Sequence, residues 1–143
     1  MTSSAGRRSG KRPPPFLLDT HIWFWYLTGS GRLPDRLRRA LDEALGELWL
    51  SPISVWELGM LEERGRVSLD GGLVAWVEAA GRSFPVRDAP LNREVAVATR
   101  GIELPHRDPA DRFLAATALV YGLTLVTVDE RLSSARWLPT RST

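Results

Sequence analysis

The strongest constraint on the fold of this chain is a repeated alternation. Short apolar runs of three to five residues (in round terms) alternate with longer segments of helical period, from Phe16 to the end. FLLD (16–19) reads as a buried strand. A helix follows from Thr20 to Leu27, then a Gly-Ser-Gly turn, and Pro34 opens a helix that runs to Leu45. LWLS (48–51) is the second strand. Ser51-Pro52 then sets an N-cap and a proline in the first helical position of a helix ending at Arg64. A helix over 71–80 leads to a strand at 84–86, and a further helix covers 91–100. Asp108-Pro109 begins a long helix ending at Tyr121-Gly122. TLVTV (124–128) is a β-rich strand, a short helix covers 129–135, and WLPT (137–140) reads as an edge strand. Such alternation predicts an α/β/α sandwich around a mainly parallel sheet of four or five strands. Ligands of such sheets gather at the carboxyl ends of the strands, so Asp19 and Asp129 are expected on one sheet edge.

The chain has 143 residues, the length of one ordinary domain. Residues 1–15 form a Gly/Ser/Arg/Pro arm ending in three prolines, expected to lack fixed structure. The folded domain is placed at 16–143. Charge supports that division. Arg7, Arg8, Lys11 and Arg12 give the arm +4, while the remainder carries 15 Arg against 17 Asp and Glu, a net of −2. The net charge of +2 therefore belongs to the arm and is not evidence for a nucleic-acid-binding body. No apolar run approaches the length of a membrane span, the start lacks the apolar centre of a secretory signal, and Cys is absent. A cytoplasmic protein with no thiolate metal site is expected.

Chemistry is carried by acids. Asp19 and Asp129 each follow a strand, and each also suits the cap of the next helix. Glu57 has Ile53, Met60 and Leu61 as helical neighbours, so its carboxylate lies on an apolar stripe. There it needs a cation or a buried Arg. Asp108 suits the N-cap of the long helix. Asp111 suits its third position, where an acid favours the helix dipole, and the small residues of DRFLAATAL allow close packing. Two carboxylates about 4 Å apart repel by roughly 4 kcal/mol at an effective dielectric near 20. A group of them needs a counter-charge, and oxygen ligands select Mg²⁺ or Mn²⁺. His21 and His106 are the only histidines, a poor provision for zinc.

LLDTHIWFW, SPISVWELGML, HRDPADRFLAATAL and LVTVDE stand in the order and approximate spacing seen in PIN-domain proteins. The chain resembles most closely the VapC-type toxins of bacterial toxin–antitoxin pairs, over everything from Phe16 onward. The resemblance implies a PIN fold and Mg²⁺- or Mn²⁺-dependent cleavage of RNA. It also implies an antitoxin partner, and a homodimer is expected. Carried over by position, it implies catalytic and metal-binding roles for Asp19, Glu57, Asp111 and Asp129, with Asp108 as an extra acid. Thr20 and Thr127 match hydroxyl positions that orient a carboxylate or water. The long basic arm departs from the family pattern.

Arg107 and Arg112 flank the acidic helix start and are expected either to contact RNA phosphates or to balance the carboxylates. Trp23, Trp25 and Trp56 are read as packing residues, with a dimer interface, an antitoxin groove or base stacking as the functional alternatives. Two rival functions stay open: a Mg²⁺-dependent phosphatase, disfavoured because Thr20 and His21 follow Asp19 with no second acid, and a catalytically silent PIN-like scaffold that binds RNA or a protein.

Overall fold

The computed structural model describes residues 15–143; the basic arm, apart from Pro15, lies outside the described residues. Five strands form one sheet in the order β3-β2-β1-β4-β5: β1 (Phe16–Leu18), β2 (Leu48–Leu50), β3 (Arg87–Asp88), β4 (Thr124–Val126) and β5 (Thr140–Arg141). Every pairing is parallel. The helices are α1 (Thr20–Thr28), α2 (Asp35–Glu43), α3 (Pro52–Glu63), α4 (Gly72–Ser83), α5 (Arg93–Ala98), α6 (Pro109–Tyr121) and α7 (Glu130–Ser133), with a 3₁₀ turn at Thr99–Gly101.

Period-two alternation along the strands divides the core. Phe16, Leu18, Leu48, Leu50 and Val126 face a cluster with Ile22 and Trp23 of α1, Leu37 and Leu41 of α2, and Leu58 of α3. Leu17 and Leu125 face the other way, onto Val95 of α5, Leu114, Ala115 and Ala118 of α6, and Leu132 of α7. The chain runs from β1 outward to β3, then returns past β1 to place β4 on its other side. That reversal puts α5 and α6 on the opposite face from α1 and α2, as the handedness of parallel crossovers requires. It also makes β1/β4 the switch point of the sheet, where a crevice opens beyond the strand ends.

Helix starts follow the local chemistry. Ser51, Asn92 and Asp108 accept hydrogen bonds from the backbone amides of Ile53, Val95 and Ala110 at 3.1, 2.9 and 2.9 Å. Gly29 and Gly122 close α1 and α6 in the left-handed conformation, φ 66° and 68°.

Three element positions differ from the sequence expectation. The third strand lies at Arg87–Asp88 rather than 84–86, because α4 continues to Ser83 and Phe84 packs against Tyr26, ring centroids 5.0 Å apart. The last strand lies at Thr140–Arg141, since Leu138 turns into the core first. The TLVTV strand stops at Val126, and Thr127, whose amide still donates to Arg141 O at 3.0 Å, turns its side chain to the site described next.

Candidate active site

Asp19 emerges directly from the end of β1, and its amide donates to Val126 O of β4 at 3.0 Å. The two central strands therefore deliver their next residues to one place. Asp19 Oδ1 accepts from Thr20 N at 2.8 Å, capping α1, and its Oδ2 accepts from the Thr127 hydroxyl at 2.6 Å. Thr127 Oγ1 in turn accepts from Asp129 N at 3.0 Å. One oxygen of Asp19 thus serves the α1 cap and the other the Thr127 hydroxyl.

Glu57 reaches the same crevice from α3. Its Oε1 accepts from the buried Thr20 hydroxyl, so the carboxylate is held by a neutral donor and not by a buried Arg. Asp111, only 5% exposed, projects from the first turn of α6, and His106 Nε2 donates to its Oδ2 at 2.7 Å. His106 Nδ1 is buried with no partner among the described residues. Asp129 differs from the other acids. Its Oδ1 accepts from Arg131 N at 2.9 Å and Arg131 Nε at 3.1 Å, and its Oδ2 from Arg131 Nη2 at 2.8 Å.

Asp19, Glu57, Asp108, Asp111 and Asp129 line one cavity of about 290 Å³, together with His21, Ile22, Trp25, Arg32, Val128 and Arg131. The charge state reflects this crowding. Burial raises the carboxyl of Asp19 above its ordinary value, against the lowering bonds from Thr127 and Thr20. Burial also raises Glu57, with the charges of Asp19 and Asp108 adding to it against the bond from Thr20. Burial lifts Asp111 to about 6, with Asp108 and Asp19 reinforcing the shift against the bond from His106. Asp129 moves the other way, lowered chiefly by the hydrogen bond from Arg131.

Three acids of the cavity are therefore short of positive charge. Among the described residues, no three His, Asp or Glu side chains stand close enough to ligate one ion directly in this arrangement. The donor set fits a divalent cation that keeps part of its water shell. Mg²⁺ dehydrates reluctantly and is commonly held by one or two carboxylates plus waters, and the cavity has room for such an ion. Asp19, Glu57 and Asp111 could hold it, with Asp108 in the same lining.

Arg107 is exposed and outside the cavity lining. Arg112 turns away from it, its Nη1 donating to Thr99 O at 3.2 Å and Ile102 O at 2.8 Å, so it anchors the turn before α6. Sequence reading missed Arg32, Arg131 and His106 as site residues. Asp129-Glu130-Arg131 carried a usable signal, an Arg two residues beyond an acid cap. His106 carried one too, five residues before Asp111 in the same quoted motif. Of the tryptophans, Trp23 is core, edge-on to Trp76 at 5.3 Å. Trp25 lines the cavity, and Trp56 is 55% exposed.

Residues 16–138 match the PIN domain family along nearly the whole described chain. The chain belongs to the PIN-domain family. This PIN domain is 35% identical over 123 residues to Ribonuclease VapC22 of Mycobacterium tuberculosis, covering 84% of this chain and 91% of that protein. Among solved structures, it resembles FitAcB from Neisseria gonorrhoeae at 24% identity and a TM-score of 0.63, over 89% of this chain and 96% of the other. DNA-bound VapBC from Salmonella typhimurium superposes with a TM-score of 0.65 at 17% identity, over 90% and 97% of the two chains. These two likenesses are of fold. The expected sandwich and its parallel sheet are those of a PIN domain, with five strands in place.

Proposed function

We propose that this PIN domain is a Mg²⁺- or Mn²⁺-dependent endoribonuclease, the toxin of a toxin–antitoxin pair. The observation that carries the reading is the meeting of Asp19, Glu57 and Asp111, distant in sequence, in one cavity at the β1/β4 switch point. The ribonuclease activity of the relative at 35% identity supports it, as do the toxin–antitoxin complexes among the fold neighbours. Asp19, Glu57 and Asp111 would hold a divalent ion, which would supply Lewis-acid chemistry there, lowering the pKa of a water and offsetting charge on the phosphate. The protein's own groups do the rest. Thr20 N and Thr127 fix the two oxygens of Asp19, the Thr20 hydroxyl fixes Glu57, and His106 fixes Asp111, so that the carboxylates are held in place without reorganising. In-line attack on the phosphodiester would leave a 5′-phosphate and a 3′-hydroxyl.

The partners follow from the same reading. RNA is the substrate, and a cognate antitoxin protein is the inhibitor. A second copy of the chain is the partner for the apolar groove formed by Pro52, Ile53, Trp56, Leu91, Pro109 and Phe113, where Trp56 and Leu91 are large apolar side chains left in solvent. A cytoplasmic site of action goes with an RNA substrate. No helix among the described residues is long and apolar enough to cross a membrane.

The test is induced expression with sequencing of new RNA 5′ ends, comparing wild type with Asp19→Asn. Asp19→Asn keeps an acceptor for the α1 cap, so the fold is expected to persist. Cleavage is expected to fall by more than the tenfold to about hundredfold that loss of an outer-shell partner costs. Undiminished cleavage by folded Asp19→Asn protein defeats the assignment.

A further inference from the structure

We propose that Arg131 is the residue that grips the RNA backbone at this site, and that Asp129 holds Arg131 in place instead of ligating the metal. The proposal rests on the ribonuclease reading and divides the acids within it into two kinds.

Asp129 has both oxygens committed to one neighbour, through two guanidinium N–H groups and one amide. Its charge is already matched by the guanidinium that both oxygens face. The other three are held by uncharged hydroxyls, a backbone amide or His106. A side chain so engaged by Arg is a poor competitor for a cation, whereas the remaining three are in want of one.

Arg131 is built for an anion. The Nε–Nη2 edge of its guanidinium is locked onto Asp129. Its Nη1 donates to no residue among those described, and the side chain is 53% exposed on the wall of the cavity. Nη2 also lies 4.0 Å from Asp111 Oδ2, so the free donors sit beside the acids of the reaction centre. A guanidinium carries five N–H groups in a rigid fork, and phosphate is the anion that fork matches. A cavity ringed by carboxylates repels a polyanion, so RNA needs a fixed cation at this spot to dock. Arg32 also lines the cavity, but no hydrogen bond from its guanidinium is present among the described residues to fix it. Arg131 is therefore the preorganised one.

The experiment measures binding without turnover. A short fluorescein-labelled single-stranded RNA is titrated with the full chain in EDTA across a salt series, and Mn²⁺ binding is followed separately by EPR. Arg131→Ala is expected to weaken RNA binding about tenfold and to lower the log Kd against log salt slope by about 0.7, the value of one phosphate contact on a single strand. Arg131→Lys is expected to restore the slope and only part of the affinity. Asp129→Asn keeps the cap acceptor for Arg131 N, so the turn at Glu130–Ser133 stays formed. It is expected to weaken RNA binding and to leave Mn²⁺ affinity within about threefold, while Asp111→Asn abolishes Mn²⁺ binding. The double variant Asp129→Asn/Arg131→Ala is expected to be no worse than Arg131→Ala alone. Unchanged RNA affinity and slope in Arg131→Ala overturn the proposal. So does a loss of Mn²⁺ affinity in Asp129→Asn equal to that in Asp111→Asn. Failure of the ribonuclease reading shows elsewhere, as wild-type protein that cleaves no RNA with Mn²⁺ present.

Discussion

Asp111 is 5% exposed and sits at about 6 on the pH scale, above the ordinary carboxyl value of 3.8. A carboxyl raised on folding binds its proton more tightly in the folded state. The stability it contributes is complete below the unfolded pKa and is lost as pH rises through the folded one. Asp19 and Glu57 shift in the same direction. The metal-free protein is therefore expected to melt at a lower temperature at pH 7 than at about pH 5. Added Mg²⁺ should raise Tm at the higher pH and do little at the lower, where protons compete for the same oxygens. Differential scanning fluorimetry at the two pH values checks this, and a Tm that rises with pH in EDTA contradicts it. Asp129, lowered by Arg131, acts in the other sense, its contribution being lost only as pH falls through its depressed value. Thr127 gives a second prediction at this scale. It is fully buried, donates to Asp19 and accepts from Asp129 N, so Thr127→Val strands two polar groups. The expected cost is about 1–3 kcal/mol in chemical denaturation, with loss of cleavage beyond what the lost stability explains.

At the scale of elements, α6 is the tightest part of the design. Leu114, Ala115, Ala116, Thr117 and Ala118 are all buried, so small side chains occupy several faces of the helix at once. That closeness is what carries Asp111 to the sheet edge. Ala115→Leu is expected to cost about 1–3 kcal/mol or more through overpacking, while Leu119→Ala, on the 44% exposed face, should change stability by less than about 0.5 kcal/mol. Urea denaturation distinguishes the two. Elements marked by strong local chemistry were readable from the letters alone. Ser51-Pro52, Asp108-Pro109 and the apolar FLL and TLV runs fall where expected. The two edge strands were misplaced by about three residues. Each pairs on one side only and is two residues long, Arg87–Asp88 and Thr140–Arg141, so neither carries an apolar alternation to detect. Their register is set by β2 and β4, not by their own sequence.

For the whole molecule, the groove beside Trp56 leads to an expectation about assembly. Its walls come from α3, α6 and Leu91 before α5, and it leaves a tryptophan largely in solvent. If two copies pair through this groove as proposed, Trp56→Ser is expected to shift sedimentation toward the monomer. Identical sedimentation of the two proteins removes this face as the dimer contact. Trp56 adjoins Glu57 in sequence, so the same helix turn serves the groove with one residue and the cavity with the next.

The letters alone determined the parallel α/β/α architecture, because strand and helix periods and caps are local properties of a few consecutive residues. They also singled out the acids, since a carboxylate on an apolar stripe or a strand end is conspicuous wherever it occurs. That Asp19 serves the α1 cap with one oxygen and Thr127 with the other was decided only by tertiary structure. So were Thr20 reaching Glu57, His106 reaching Asp111, Arg112 turning to main-chain carbonyls and Arg131 closing on Asp129. The reason is physical: a side chain's partner is fixed by which backbone segments the β1/β4 crossover brings within hydrogen-bond reach, a distance that no run of neighbouring residues encodes.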